Sequence, residues 1–324
     1  MGLPRRTFLG LAAAGVAAAA AKPRHAFALD YPSRPVRLII GFPSGTAPDI
    51  TGRLVAQGLA ERLGQQVVVD SRPGASSGIA IEAVAKAPAD GYTLLLELSS
   101  NVVNAALNPG LAFNVVRDIA PVAFLGGNPF VMVMTPSLPV KTLPEFIAYA
   151  KANPGRINMA SQGVGTTPHV CGELLKMMTG IEVTHVPYRT SLIPDLLAGQ
   201  VHFYFSPLPQ PLEYVRDGRL RALGVSTAAR VPVLPDVPAI GEFVPGYEAT
   251  GWFGLGGPKG MPAEIVDKLN STTNAFTADA AVKERLASLG LEPRGMTTAA
   301  FAGFVAAEND KWAKVIKFAN IKPE

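Results

Sequence analysis

From Pro35 onward, short aliphatic and β-branched runs alternate with longer stretches in which apolar residues recur every three or four positions. The short runs predict strands and the longer ones amphipathic helices, and their alternation is the pattern of sheets flanked by helices. Strands are expected at VRLIIGF (36–42), QQVVVD (65–70) and YTLLLEL (92–98), with helices over 49–63 and 76–86 between them. In the first helix Ile50, Leu54, Val55 and Leu59 have the spacing that buries one face.

A second unit follows the apolar run FVMVMTPSL. Its strands are expected at INMAS (157–161), VTHVPY (183–188), VHFYF (201–205) and LRALGVS (220–226), and its helices at 144–151, 168–178 and 192–198. From Trp252 a strand-like WFGLGGP leads into final helices starting near Pro262, Asp279 and Thr298. A single doubly wound sheet is one reading. Two long apolar connectors, FVMVMT and WFGLGGP, fit two lobes better: residues 29–130 plus 252–324 in one and 131–251 in the other. The cleft between two such lobes is a usual place for a small-molecule site.

Charge changes the picture only at the N-terminus. Arg5 and Arg6 precede an Ala-rich apolar stretch that ends in small residues at Ala26 and Ala28, the layout of a cleaved export signal of twin-arginine type over residues 1–28. The apolar run from Thr7 to Ala21 falls short of the ~20 residues of a membrane span. The whole chain carries 29 basic and 25 acidic residues. Loss of the leader removes Arg5, Arg6, Lys22 and Arg24, leaving bases and acids in balance and no electrostatic footprint for DNA or RNA. Cys171 is the single cysteine, so no intramolecular disulfide can form.

Three loops share a chemistry. After the first strand, F-P-S-G-T-A-P-D places Phe42, Ser44, Gly45, Thr46 and Ala47 ahead of Asp49 at a helix start. Ser99 and Ser100 follow the third strand, and S-Q-G-V-G-T-T-P-H supplies Ser161, Gly163, Gly165, Thr166, Thr167 and His169 in the second unit. Each sets backbone N–H groups and small hydroxyls at a strand's carboxyl end, where hydrogen bonds and the helix dipole favour anions. Taken singly, each loop is equally a turn and a cap. Together around one cleft they point to an anion held by neutral donors.

Phosphate and hydrolytic motifs fit poorly. G-x-x-x-x-G-K-[ST] is absent, and Pro168 stands where G-x-G-x-x-G needs its third glycine. There is no G-x-S-x-G, no H-E-x-x-H and no cysteine pair, so neither a nucleophile elbow nor a metal site is expected. His169 and Cys171, two apart on a helix, point in different directions.

V-R-L-I-I-G-F-P-S-G-T-A-P-D, D-S-R-P-G-A-S-S-G, A-D-G-Y-T-L-L, H-V-P-Y-R, D-L-L-A-G-Q-V, G-R-L-R-A-L-G-V-S-T, L-P-D-V-P-A-I-G-E, P-G-Y-E-A and P-A-E-I-V-D-K-L-N occur in this order. The sequence thereby resembles the Bug-type solute-binding receptors of tripartite tricarboxylate transport systems, over nearly the whole span 31–322. The resemblance implies a periplasmic binding protein of the two-lobe, type II fold, each lobe a mostly parallel sheet flanked by helices, with two connecting strands. It implies a monomer that binds a small mono- or dicarboxylate without metal or cofactor and delivers it to membrane permease subunits. The carboxylate would be held by amides, hydroxyls and water in the loops from Ser44 to Asp49 and from Ser161 to His169.

Three departures fall in the expected cleft. Thr46 replaces one of the family's paired glycines, the segment after H-V-P-Y is shorter and lacks glycine, and Ser206 stands where an acid is frequent. Loss of that acid favours a plain carboxylate over an amino acid. Arg189 is a candidate for a second carboxylate, with a solvent-facing or hinge-supporting role as the alternative. Tyr188, Phe42 and Phe205 are candidates for apolar walls or for core. A ligand sensor for a signalling partner, or an exported hydrolase or lyase, are the competing functions.

Overall fold

The computed structural model describes residues 31–188 and 190–322. The expected leader and Arg189 lie outside the described residues.

Residues 31–128 build β1 (Val36–Ile40), α1 (Ala47–Leu63), β2 (Val67–Ser71), α2 (Gly78–Ala85), β3 (Thr93–Leu98), α3 (Ser99–Leu107), α4 (Val115–Asp118) and β4 (Ile119–Asn128). The chain then forms β5 (Phe130–Met134), α5 (Leu143–Ala152), β6 (Asn158–Ser161), α6 (Thr167–Thr179), β7 (Thr184–Pro187), α7 (Ile193–Leu197), β8 (Phe203–Pro207), α8 (Leu212–Arg216) and β9 (Arg221–Val225). It returns through β10 (Gly251–Pro258), α9 (Ala263–Ala278), α10 (Ala280–Ser288), β11 (Glu292–Pro293) and α11 (Thr298–Phe318).

These strands form two sheets, ordered β11-β4-β10-β3-β1-β2 and β7-β6-β8-β5-β9. Each is mixed rather than mostly parallel. β1 runs parallel to β2 and β3, and β6 to β7 and β8, as expected of right-handed crossovers through helices. β10 and β5, which enter from the other sheet, run antiparallel to their neighbours. The two apolar connectors thus end up as fully buried inner strands, covered on both faces, which is why they read as unbroken apolar runs.

The two crossings lie side by side. Asn128 pairs with Gly251, and on the far side of Pro129 the Phe130 N–H donates to Ser226 Oγ at 3.0 Å while Ser226 N–H donates to Phe130 O at 2.8 Å. α11 packs on α3 and β4 of the first sheet's layer and on α6 of the second's. Its Phe301 and Trp312 join a continuous core with Trp252, Cys171 and Tyr247. In α1, Val55 and Leu59 are buried as expected, whereas Ile50 is 45% exposed because it lies in the first turn, beyond the edge of the sheet layer.

Candidate ligand-binding site

A cavity of about 670 Å³ opens between the sheets where the loops after β1, β3 and β6 meet the crossings. Of the expected residues, Phe42, Ala47, Ser99, Ser100, Gly165, Thr166 and Thr167 line it. Among the described residues of the wall there is no Lys, Arg, Asp, Glu or His. Polar groups come from serines, threonines, Asn104, Asn108, Asn128 and Gln162, and apolar surface from Phe42, Leu107, Phe130, Val164, Trp252 and Phe253.

The loops before α1 and α6 are built alike. Both read G-T-x-P followed by an acceptor: Gly45 to Asp49 and Gly165 to His169. Each glycine has positive φ, +83° and +72°. Each threonine is the N-cap residue yet turns its hydroxyl back, Thr46 Oγ1 onto Pro43 O at 2.7 Å and Thr166 Oγ1 onto Gly163 O at 2.8 Å. Each glycine N–H donates to the side chain four residues on, Gly45 to Asp49 Oδ2 at 2.9 Å and Gly165 to His169 Nδ1 at 3.1 Å. Asp49 also accepts from Arg53 Nε at 2.9 Å and Ser71 Oγ at 3.2 Å, and the Arg53 hydrogen bond holds its carboxyl below the ordinary aspartate range.

Helix starts without a side-chain cap also occur at α7, α8 and α9, but threonine hydroxyls turned back from the helix mark α1 and α6 at the cavity. Away from it, Asn114, Thr142, Asp279 and Thr297 accept first-turn N–H groups of α4, α5, α10 and α11, as N-caps ordinarily do. At the cavity, Thr46, Ser77 and Thr166 cap nothing, and α3 starts after Leu98, which has no acceptor. The first turns of α1, α2, α3 and α6 therefore offer N–H groups and the positive ends of four helix dipoles to whatever occupies the cavity.

The α2 start is the part that sequence reasoning missed. Ala75, Ser76 and Ser77 all have positive φ, 47°, 50° and 71°, and Ser76 and Ser77 line the cavity. Left-handed Ser77 followed by right-handed Gly78 gives the alternation that turns successive backbone N–H groups to one side, a concavity suited to anions. Ser77 Oγ donates to Gly41 O at 3.2 Å, and a Cβ on Gly41 would sit 2.4 Å from the Ser77 Cβ, so the close approach requires glycine. The cue in the sequence was the P-G-A-S-S-G run. Asn128 and Trp252 were also missed, since they sit on the crossings rather than on a loop.

Other expected residues lie off the wall. Ser44 reaches only Ser71, at 3.5 Å. Ser161 is fully buried and hydrogen-bonds His185 Nε2 at 2.6 Å, while also bridging the N–H and O of Gly163. A serine on an imidazole is the geometry of a nucleophile and its base, but this one faces the core. Tyr188 donates to Asp195 at 2.7 Å, Ser206 bonds Pro207 O and Gln210, and Phe205 packs in the core against Phe203 and Tyr247. Ser99 Oγ and Thr167 Oγ1, 3.4 Å apart, join the two halves of the cavity at its base.

Two sheets linked by paired crossings, with a neutral-walled cleft between them, define a two-lobe solute-binding protein. Residues 51–321 match the model of the tripartite tricarboxylate transporter family receptor, and the chain belongs to that family. Protein BugT of Bordetella pertussis is 37% identical over 292 residues, covering 89% of this chain and 90% of BugT. The structure of R. palustris Rpa4515 with adipate superposes with a TM-score of 0.75 at 38% identity, covering 91% of this chain and 100% of that one. MatC of Rhodopseudomonas palustris with bound malate gives 0.71 at 30% identity, over 88% and 100% of the two chains. A TctC solute-binding protein from Polaromonas with no ligand gives 0.80 at 25%, over 89% and 99%.

Proposed function

We propose that this receptor works in the periplasm, captures a small organic carboxylate in the cleft, and hands it to the permease subunits of a tripartite tricarboxylate transporter. The observation that carries this reading is the convergence of four helix starts without side-chain caps on a cavity whose described wall has no charged side chain. Among the described residues, such a site neutralises an anion with backbone N–H groups, hydroxyls and dipoles, which suits a carboxylate. The adipate and malate bound in the two relatives are of this class, and the apolar wall suits the carbon chain between or beyond the acid groups.

Lobes of 29–130 plus 252–324 and 131–251 would close as bodies about the paired crossings at 128–130 and 226–251. Closure withdraws the acid from water and strengthens every hydrogen bond to it. No bond of the ligand is broken, and export by the twin-arginine route would bring the chain to the periplasm. A thermal-shift panel of the mature protein against mono-, di- and aromatic carboxylates tests the reading. An acid at 100 times its Kd adds about 2.7 kcal/mol, a shift of several degrees. Stabilisation by amines, sugars or nucleotides and by no acid would overturn it.

A further inference from the structure

The second cavity loop is anchored by a histidine whose protonation state the geometry specifies. A backbone N–H can only donate, so His169 Nδ1 is the acceptor in its 3.1 Å bond from Gly165. The proton of the neutral ring then sits on Nε2, which faces Glu173 Oε1 at 3.7 Å. A second proton would have to go onto Nδ1, setting N–H against N–H. Escape by rotation is blocked, because the ring is 4% exposed and stacked on His185 with centroids 3.6 Å apart and planes 9° off parallel.

We propose that His169 is a positioning residue that links ligand binding to proton loss: Gly165 keeps its place on the cavity wall only while His169 Nδ1 is unprotonated. Ligand and proton then compete, and acid weakens binding through the second loop alone. The coupling rests on the cleft being the carboxylate site.

The groups facing His169 set the balance. On its own helix, Glu173 favours a charged ring, but it is shared with Lys176 Nζ at 2.8 Å. From β7, His185 stacks on it, and two charged rings at that distance repel. Burial, then the neighbouring His169, bring His185 down to about 4, so its ring stays neutral through the range tested. From α11, Glu308 and Lys311 pair with each other beside Cys171 and Trp312, which leaves little net charge on that side. The first loop has no such sensitivity, since its anchor Asp49 is ionised through the same range.

Calorimetry with adipate between pH 8 and pH 5, in buffers of different ionisation enthalpy, tests the link. The wild type should release a proton on binding at the acid end, where Kd rises toward tenfold per pH unit. In His169→Asn the amide oxygen takes the Nδ1 position and cannot titrate, so Kd at pH 7.5 should stay within about threefold of wild type and become flat with pH. His169→Ala should bind weakly at every pH. In the ligand-free protein, the Gly165 amide resonance should titrate together with the His169 ring, and stay still in His169→Asn. A wild-type pH slope in His169→Asn, or a Gly165 amide indifferent to the ring, would overturn the proposal. If neither adipate nor any other acid of the carboxylate panel binds at any pH while Gly165 and the ring still titrate together, the carboxylate reading fails and the anchor stands.

Discussion

Residues 45–49 and 165–169 are the same device with different anchors. Both use a left-handed glycine, a back-turned threonine and a proline in the first helical turn, and both tie the glycine N–H to the residue four places on. In one loop that residue is Asp49, held charged by Arg53; in the other it is His169, which must be neutral to accept. The fold therefore requires an acceptor at the fifth position, and the chemistry of that acceptor decides how the loop answers to pH.

Alanine at the two glycines should separate the loops most. At Gly165 an added Cβ would lie 2.9 Å from Leu107 Cδ2, whereas at Gly45 nothing lies within 4 Å. Gly45→Ala should cost only left-handed strain, about 1–2 kcal/mol, or roughly tenfold in acid affinity if all of it falls on the bound state. Gly165→Ala adds overpacking against the cavity wall and should exceed about 100-fold. Equal losses by calorimetry would show that the two loops do not divide the ligand as drawn.

Asp49→Ala leaves the Gly45 N–H without its acceptor and Arg53 without its partner, and should lower stability by about 2–3 kcal/mol in urea titrations. Asp49→Asn, which keeps one acceptor, should lose less. Below neutral pH a second acidic effect must be kept apart from the anchors. His185 has a folded pKa of about 4 against the ordinary histidine value of 6.5, so its contribution is present above 6.5 and is lost as pH falls toward 4. Acid unfolding and acid release of ligand should therefore be read separately.

Glu97 works at the other end of the scale. It is fully buried, neither oxygen has a partner among the described residues, and burial lifts its pKa to about 8. A raised acid contributes stability in full below its unfolded value near 4.5, and that contribution is lost as pH rises through 8. Glu97→Gln keeps the shape of the protonated form and cannot ionise, so it should be near neutral at pH 4 and stabilising by about 2 kcal/mol already at pH 6, more so as pH rises to 8. A variant destabilised equally at all three pH values would mean that Glu97 is held by a partner group. The smallest effects should come from the threonines. Thr166→Val removes a hydroxyl on the wall and should weaken acid binding a few-fold, while Thr46→Val, off the wall, should cost about 1 kcal/mol of stability and less affinity.

Much of the architecture was readable because strands buried on both faces make unbroken apolar runs, as in FVMVM and YTLLLEL. β4 was not, since Pro121 and the glycines at 126 and 127 interrupt its run. The mixed direction of the sheets also escaped, because it depends on which sheet the connectors join, and periodicity carries no such information. The loops were found through hydroxyls and glycines, but the details of the helix starts were not legible: Asp49 reads as the start of the first helix, yet α1 begins at Ala47, and Thr46 and Thr166 at the cap positions turn their hydroxyls away. The roles of Asp49 and His169 as matched anchors emerge only when the two helix starts are superposed.

The central claim is that first-turn N–H groups from both lobes hold the acid. Amide shifts measured by NMR while adipate or malate is added test it most directly. The account predicts large, saturable changes at Ala47 and Ser100 on one side and Thr167 on the other, and none with a diol of equal length. Shifts confined to one side, or equal for the diol, would contradict it.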